Sequence, residues 1–181
     1  MADPLCHQIR KAAPPDYQAL SRIERRAFIE LGSAFYPLED IKCALDHFEG
    51  LSLSLIEEGH YFVLTDTEGN ILAGGGWSRG ELEYMPVEGG ARGEDLTGVV
   101  RCVYVCPEHA RRGLAQEVLR CIETDALAAG ISQLTLTASK TAEALYARAG
   151  YALGPYCNVF LPNGHDLPLR QMRKNLVCQP A

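Results

Sequence analysis

The segment that most restricts the fold is residues 99–115, VVRCVYVCPEHARRGLA. It begins with a β-branched and apolar run that Cys106-Pro107 has to end, because proline cannot continue a strand ladder. From Gly113 to about Ala129 the chain is rich in strong helix formers, with Leu114, Val118 and Ile122 four apart, and Gly130 supplies a left-handed stop. A strand is therefore joined to a helix by a short loop carrying Arg111, Arg112 and Gly113. At a helix start several backbone N–H groups have no intrahelical partner and point toward one place. The helix dipole adds attraction for an anion, Gly113 permits close approach to the backbone, and small Ala115 keeps the next turn out of the way. A pyrophosphate suits this turn. An ordinary β–α connection with two solvated arginines is an equally weighted alternative.

The rest of the chain alternates helical and strand patterns. Its 181 residues imply one domain, 1–181, given a typical domain of about 150 residues. With 47% apolar and 22% charged residues it has average globular usage. Such a chain buries roughly 70% of its unfolded surface and needs no staples. A short strand is expected over 7–10. Asp16 is placed to cap a helix to about Glu30 on which Tyr17, Leu20, Ile23, Ala27 and Phe28 recur, and a second helix follows over 38–48. Residues 61–64 and 71–73 flank a turn cluster and read as a hairpin, 80–98 as a loop, 131–138 as a strand and 142–149 as a helix. Two β-like runs lie between 151 and 176, split at Pro162-Asn163-Gly164. The order β-α-α-β-β-β-α-β-α-β-β is that of a mixed α/β domain with helices covering a central sheet.

Lys and Arg number 17 against 23 Asp and Glu, a net charge of -6 that argues against nucleic acid as a partner but allows a local site for one phosphorylated cofactor. Seven scattered cysteines read as reduced thiols, and no apolar run approaches the roughly 20 residues that span a bilayer. A cytoplasmic location with no membrane contact is the expectation. Cys102 and Cys106 are not spaced as a C-x-x-C pair and the chain has no H-E-x-x-H, so no metal is expected.

Three motifs in order resemble the GNAT superfamily of acyl-CoA-dependent N-acyltransferases. The family signature Gln/Arg-x-x-Gly-x-Gly/Ala is met by Ala110-Arg111-Arg112-Gly113-Leu114-Ala115 at both small positions and departs at the first, where Arg111 would supply the lost side-chain contact. Val103-Tyr104-Val105 is similar to the family's fourth strand, whose backbone splays from the fifth and pairs with the pantetheine arm. The stretch 142–151 resembles the A-x-x-x-Y-x-x-x-G-[FY] helix. The resemblance implies a GNAT-like fold with about six or seven strands and about four flanking helices. It also implies an N-acetyltransferase that passes an acetyl group from acetyl-CoA directly to a primary amine in a ternary complex. Its implied cofactor contacts are Val103, Tyr104, Val105, Arg111, Arg112, Gly113, Leu114, Ala115, Ser139 and Tyr146, and Tyr146 would protonate the departing thiolate. A phenol with a pKa of about 10 suits that role.

The acceptor side is less marked. Many relatives place a Glu near the start of the fourth strand, where this chain has Val99. Glu83 is the expected base, with Glu81, Glu94 and Asp95 as further carboxylates. Phe35, Tyr36, Trp77, Tyr84 and Arg101 are the expected acceptor contacts, although Arg101 is read first as a structural residue, because an arginine in an apolar strand needs a partner. The acceptor is a small-molecule or peptide amine, and a homodimer stays open. Two other classes compete. One is a catalytically silent acyl-CoA-binding module. The other is a serine hydrolase, since Gly76-Trp77-Ser78-Arg79-Gly80 spells G-x-S-x-G with Ser78 as nucleophile and His165 downstream, but that motif requires a helix directly after the serine.

Overall fold

The computed structural model describes residues 7–48, 50–80 and 96–176. Among them seven strands form one sheet: β1 (Gln8–Lys11), β2 (Tyr61–Thr65), β3 (Ile71–Arg79), β4 (Thr97–Val105), β5 (Gln133–Ala138), β6 (Ala152–Phe160) and β7 (Asp166–Asn175). Their spatial order is β1-β2-β3-β4-β5-β7-β6. Neighbours are antiparallel except β4 and β5, which run parallel. The helices are α1 (Tyr17–Gly32), α2 (Leu38–His47), α3 (Leu53–Glu57), α4 (Leu114–Ala128) and α5 (Glu143–Arg148). The expected mixed α/β class and strand number hold, with five helices in place of about four.

Apolar clusters cover both faces of the sheet, and a third joins Ile41 and Ala44 of α2 to Leu161 and Leu167. On one face, Val118, Leu119, Ile122 and Ala126 of α4 pack with Val100, Leu134, Leu136 and Tyr146. These α4 positions share one stripe at helical spacing, and each large apolar side chain buried there contributes about 1.5–3 kcal/mol. On the other face, Leu20 of α1 and Leu55 and Ile56 of α3 pack on Tyr61 and Val63. The unexpected helix, α3, has too few residues to show a period. Ser52 caps it by accepting from the Leu55 amide at 3.3 Å. Asp16, the expected cap of α1, turns back instead: its carboxylate accepts from the Ala13 amide at 2.8 Å and from both Arg10 nitrogens at 2.7 and 2.9 Å.

The hairpin is longer than expected because β3 continues through Gly74, Gly75 and Gly76 to Arg79. Glycine is a poor strand former, yet here it sets how closely the layers approach. A Cβ at Gly75 would lie 2.8 Å from Val103 Cγ2, and one at Gly76 would lie 2.6 Å from Tyr61 Cδ2 and 2.7 Å from the His60 carbonyl oxygen. The glycine run lets β2 and β4 press against β3 where β4 is irregular. Gly76→Ala should therefore lower the unfolding free energy by about 1–3 kcal/mol in chemical denaturation. An unchanged midpoint would contradict this close packing.

Candidate functional site

β4 and β5 begin as a parallel pair and then part. The register joins Thr97, Gly98 and Val99 to Gln133, Leu134 and Thr135, and no further. β4 nevertheless continues to Val105, paired on its other side with β3, and β5 continues to Ala138, paired with β7. Beyond Val99 the edge of β4 that faces β5 thus carries backbone donors and acceptors without a ladder partner among the described residues. Buried backbone groups need partners, so this open edge is a place for an extended ligand to pair. The opening coincides with a bulge: the β3–β4 register shifts between Gly74 and Gly76, and Cys102 takes a φ of 50°. The Tyr61 hydroxyl holds the bulge by donating to the Cys102 carbonyl at 2.7 Å. Val103 and Val105 point to the α4 core, whereas Tyr104 faces Glu24 of α1.

At the end of β4 the chain turns through Pro107–His109 into α4. Arg111 and Gly113 both take left-handed backbone, at φ 63° and 87°. Such alternation gathers successive N–H groups into a concavity that suits an anion. No side chain caps α4. The Gly113 carbonyl accepts from the Gln116 and Glu117 amides at 2.9 and 3.2 Å. Among the described residues the amides of Arg111 to Ala115 have no acceptor, and Arg111 and Arg112 are exposed and form no ion pair. The turn thus offers several donors and two guanidinium groups at the mouth of the opening between the strands, as a diphosphate requires.

α5 follows β5. Its turn starts at Ser139, whose carbonyl accepts from the Ala142 and Glu143 amides at 2.8 and 3.1 Å, and ends where the Tyr151 amide donates to the Tyr146 carbonyl at 3.0 Å. Tyr146 is buried and stands edge-on to Tyr151, ring centres 5.6 Å apart. Burial, with the Cys102 thiol as a lesser contributor, pushes its phenol well above the ordinary value. Tyr146 is therefore protonated across the neutral range and able to donate.

The expected acceptor contacts divide. Phe35, in the α1–α2 turn, is 51% exposed, whereas Tyr36 is buried and both its hydrogen-bonding capacities are used: its hydroxyl donates to the Pro168 carbonyl at 2.9 Å and accepts from the Lys140 amide at 2.8 Å. Tyr36 thus ties the turn to β7 and to the start of α5. Trp77, expected at the cleft, is fully buried on the α4 side, where its indole donates to Asp125 at 2.9 Å and its ring lies 4.3 Å from that of His60. Its register opposite Val100 points it into the core. Arg101 lies on the opposite face, its Nε donating to the Ser78 hydroxyl at 3.2 Å, and among the described residues it pairs with no carboxylate. Ser78 lies inside β3, with Trp77 and Arg79 on either side both in register with β4, so it is not the sharp strand-to-helix turn that a hydrolase nucleophile needs. Tyr84 and the carboxylates Glu81, Glu83, Glu94 and Asp95 lie outside the described residues. His165 and Asn163 both donate to Asp40, at 2.7 and 2.8 Å, and clasp α2 to the β6–β7 turn.

Sequence reasoning passed over Glu24. It stands on the buried stripe of α1 between Ile23 and Ala27 and is only 9% exposed. A charged residue in an apolar stripe was its signal. Both carboxylate oxygens accept from the Leu51 amide, at 3.1 and 3.2 Å. Burial pushes its pKa above the ordinary carboxylate value, against the opposing pull of that amide and of the Tyr104 hydroxyl.

A parallel strand pair opens here over a helix start that no side chain caps. The family model of the acetyltransferase (GNAT) family matches residues 17–151. The chain belongs to this family, whose enzymes carry out acetyl-CoA-dependent acyl transfer. Similar solved structures include a GCN5-related N-acetyltransferase of Rhodopseudomonas palustris, 20% identical over 93% of this chain and 95% of that one, with a TM-score of 0.69. The yncA acetyltransferase of Salmonella typhimurium, solved with acetyl-CoA, is 18% identical over 97% and 96%, with a TM-score of 0.63. A GCN5-related N-acetyltransferase of Ralstonia eutropha is 26% identical over 81% and 92%, with a TM-score of 0.61. No curated protein matches the sequence.

The left-handed backbone at Gly113 gives a direct test of the turn. Gly113→Ala adds a Cβ that meets no atom within 4 Å, so its cost is conformational alone, about 1–2 kcal/mol of unfolding free energy. A variant as stable as the parent would contradict the assigned backbone.

Proposed function

We propose that the protein is an N-acetyltransferase that moves the acetyl group of acetyl-CoA to a primary amine within a ternary complex, the whole chain acting as one domain. What supports this reading is that the diverging strands carry all three parts: the open edge of β4, the α4 start after β4, whose amides are unpartnered among the described residues, and the protonated Tyr146 of α5 after β5. In this reading the amides of Arg111 to Ala115 hold the diphosphate, helped by the Arg111 and Arg112 side chains. Val103, Tyr104 and Val105 pair through their backbone with the pantetheine arm, and Ser139 contacts it from the end of β5. The open backbone near the Cys102 bulge polarises the thioester carbonyl.

Transfer then forms an N–C bond and breaks the C–S bond. The attacking nitrogen gives its proton to water, Tyr146 gives its own to the departing thiolate, and water returns a proton to the tyrosinate. Holding both reactants together offsets about 7–11 kcal/mol of the barrier, and a backbone donor at the developing oxyanion contributes about 3–4 kcal/mol. Glu83, the base expected from sequence, lies outside the described residues and carries no part of this reading. Among the described residues Cys43, Cys102, Cys106, Cys121 and Cys157 are free thiols, as a protein of the reducing cytosol would have.

A silent acyl-CoA-binding module is favoured by one observation: Val99, where relatives carry a carboxylate, is fully buried and apolar. Thiol release from acetyl-CoA against a mixed amine library separates the two readings, since a silent module binds the thioester and releases no thiol. In the enzyme, Tyr146→Phe should lower kcat about 100-fold while the KM for acetyl-CoA stays within about twofold. Unchanged turnover in that variant would remove Tyr146 from the reaction.

A further inference from the structure

A second cavity-like feature lies beside the open strand, on the α1 face of the sheet. Its volume is about 290 Å³, and Tyr17, Ser21, Glu24 and Phe28 of α1, Phe48 after α2 and Tyr104 of β4 line it. Three aromatic residues besides Tyr104 give it an apolar body, and a buried carboxylate stands in its wall.

Glu24 is held there by construction. The chain at Gly50 runs so close that a Cβ would lie 1.9 Å from Glu24 Oε1, and the Leu51 amide donates to both carboxylate oxygens. Yet no cation reaches Glu24 among the described residues: the neighbouring Arg25, which also lines the cavity, pairs with Asp46 at 3.1 Å. A buried carboxylate without a counter-charge is costly, and a cation brought by a ligand removes that cost. Aromatic faces around a carboxylate are the chemistry that receives an organic ammonium. Tyr104 joins this cavity to the cleft, since its backbone belongs to the open strand and its hydroxyl lies at Glu24.

We propose that this cavity is the acceptor subsite, that it takes a primary amine carried on a small apolar or aromatic body, and that Glu24 binds the ammonium. The proposal rests on the acetyltransferase reading above and names its substrate class. A purely structural Glu24 would only accept from the Leu51 amide and the Tyr104 hydroxyl, a task the glutamine carbonyl oxygen also performs, so Glu24→Gln separates the two roles.

The test measures steady-state acetylation of 2-phenylethylamine, isopentylamine, phenylalanine and spermidine, with calorimetry for acetyl-CoA. The expected result is that 2-phenylethylamine and isopentylamine are acetylated with kcat/KM at least about tenfold above phenylalanine, whose carboxylate is repelled by Glu24. Glu24→Gln should raise the KM for 2-phenylethylamine about tenfold or more, a change worth about 1.4 kcal/mol. Its KM for acetyl-CoA should match the parent's, and its thermal midpoint should be no lower than the parent's, since the buried charge is removed. Ser21→Trp, which fills the cavity from the turn of α1 before Glu24 and keeps the carboxylate, should also raise the amine KM and leave acetyl-CoA binding intact. A Glu24→Gln enzyme indistinguishable from the parent overturns the proposal, as does efficient use of phenylalanine or of spermidine alone; in these cases the transferase reading stands. Acetyl-CoA binding without transfer to any amine overturns both.

Discussion

Everything at the cleft depends on where β4 stops pairing with β5. Three residue pairs hold the two strands together, and after Val99 they separate while each remains fixed to its other neighbour. A sheet normally satisfies its backbone within itself, so an edge left open in its middle is a site by construction. The bulge at Cys102 makes the separation possible: it turns the strand locally and is pinned by the Tyr61 hydroxyl. The three glycines of β3 then allow the bulged strand to lie close without a clash.

The same divergence orders the charges. The chain is acidic overall, yet among the described residues the amides of the α4 turn and its two arginines have no partner. Such a gathering of donors on an acidic protein shows that placement, not net charge, sets the local potential at one turn. α1 is held to the same turn from outside, since Arg26 pairs with Glu30 and Glu108, and Cys106 donates to Glu108. Arg26 pulls the Glu108 carboxyl down to about 2, so this link stays ionised through the neutral range. α1 therefore has a fixed position over the strand, and with it Glu24 and the cavity behind Tyr104.

The elements whose signals are local were legible in the sequence. The strand, proline, arginine–glycine turn and helix over 99–115 appear in the structure with their expected order and nearly their expected ends, and α5 falls inside 142–149. What stayed hidden depends on partners distant along the chain. Nothing in residues 99–105 or 131–138 says that the two strands part after Val99, because that follows from what each pairs with on its far side. The glycine run concealed the second half of β3, since its contribution is close approach, not propensity. Trp77 was read as a cleft residue and lies in the α4 core, because the β3–β4 register decides its face and the bulge begins just beyond it. Glu24 was visible only as a misplaced charge on the stripe of α1, and its meaning comes from Leu51 and Tyr104, which are brought to it by the fold.

The central claim is that the open edge of β4 and the α4 turn grip one ligand together. A crystal structure of the protein with bound coenzyme A measures this directly. The account predicts diphosphate oxygens within hydrogen-bonding distance of the amides between Arg111 and Ala115, and pantetheine amide groups paired with the β4 backbone beyond Val99. Coenzyme bound elsewhere, with that turn bare and the strand edge contacting only solvent, would contradict it.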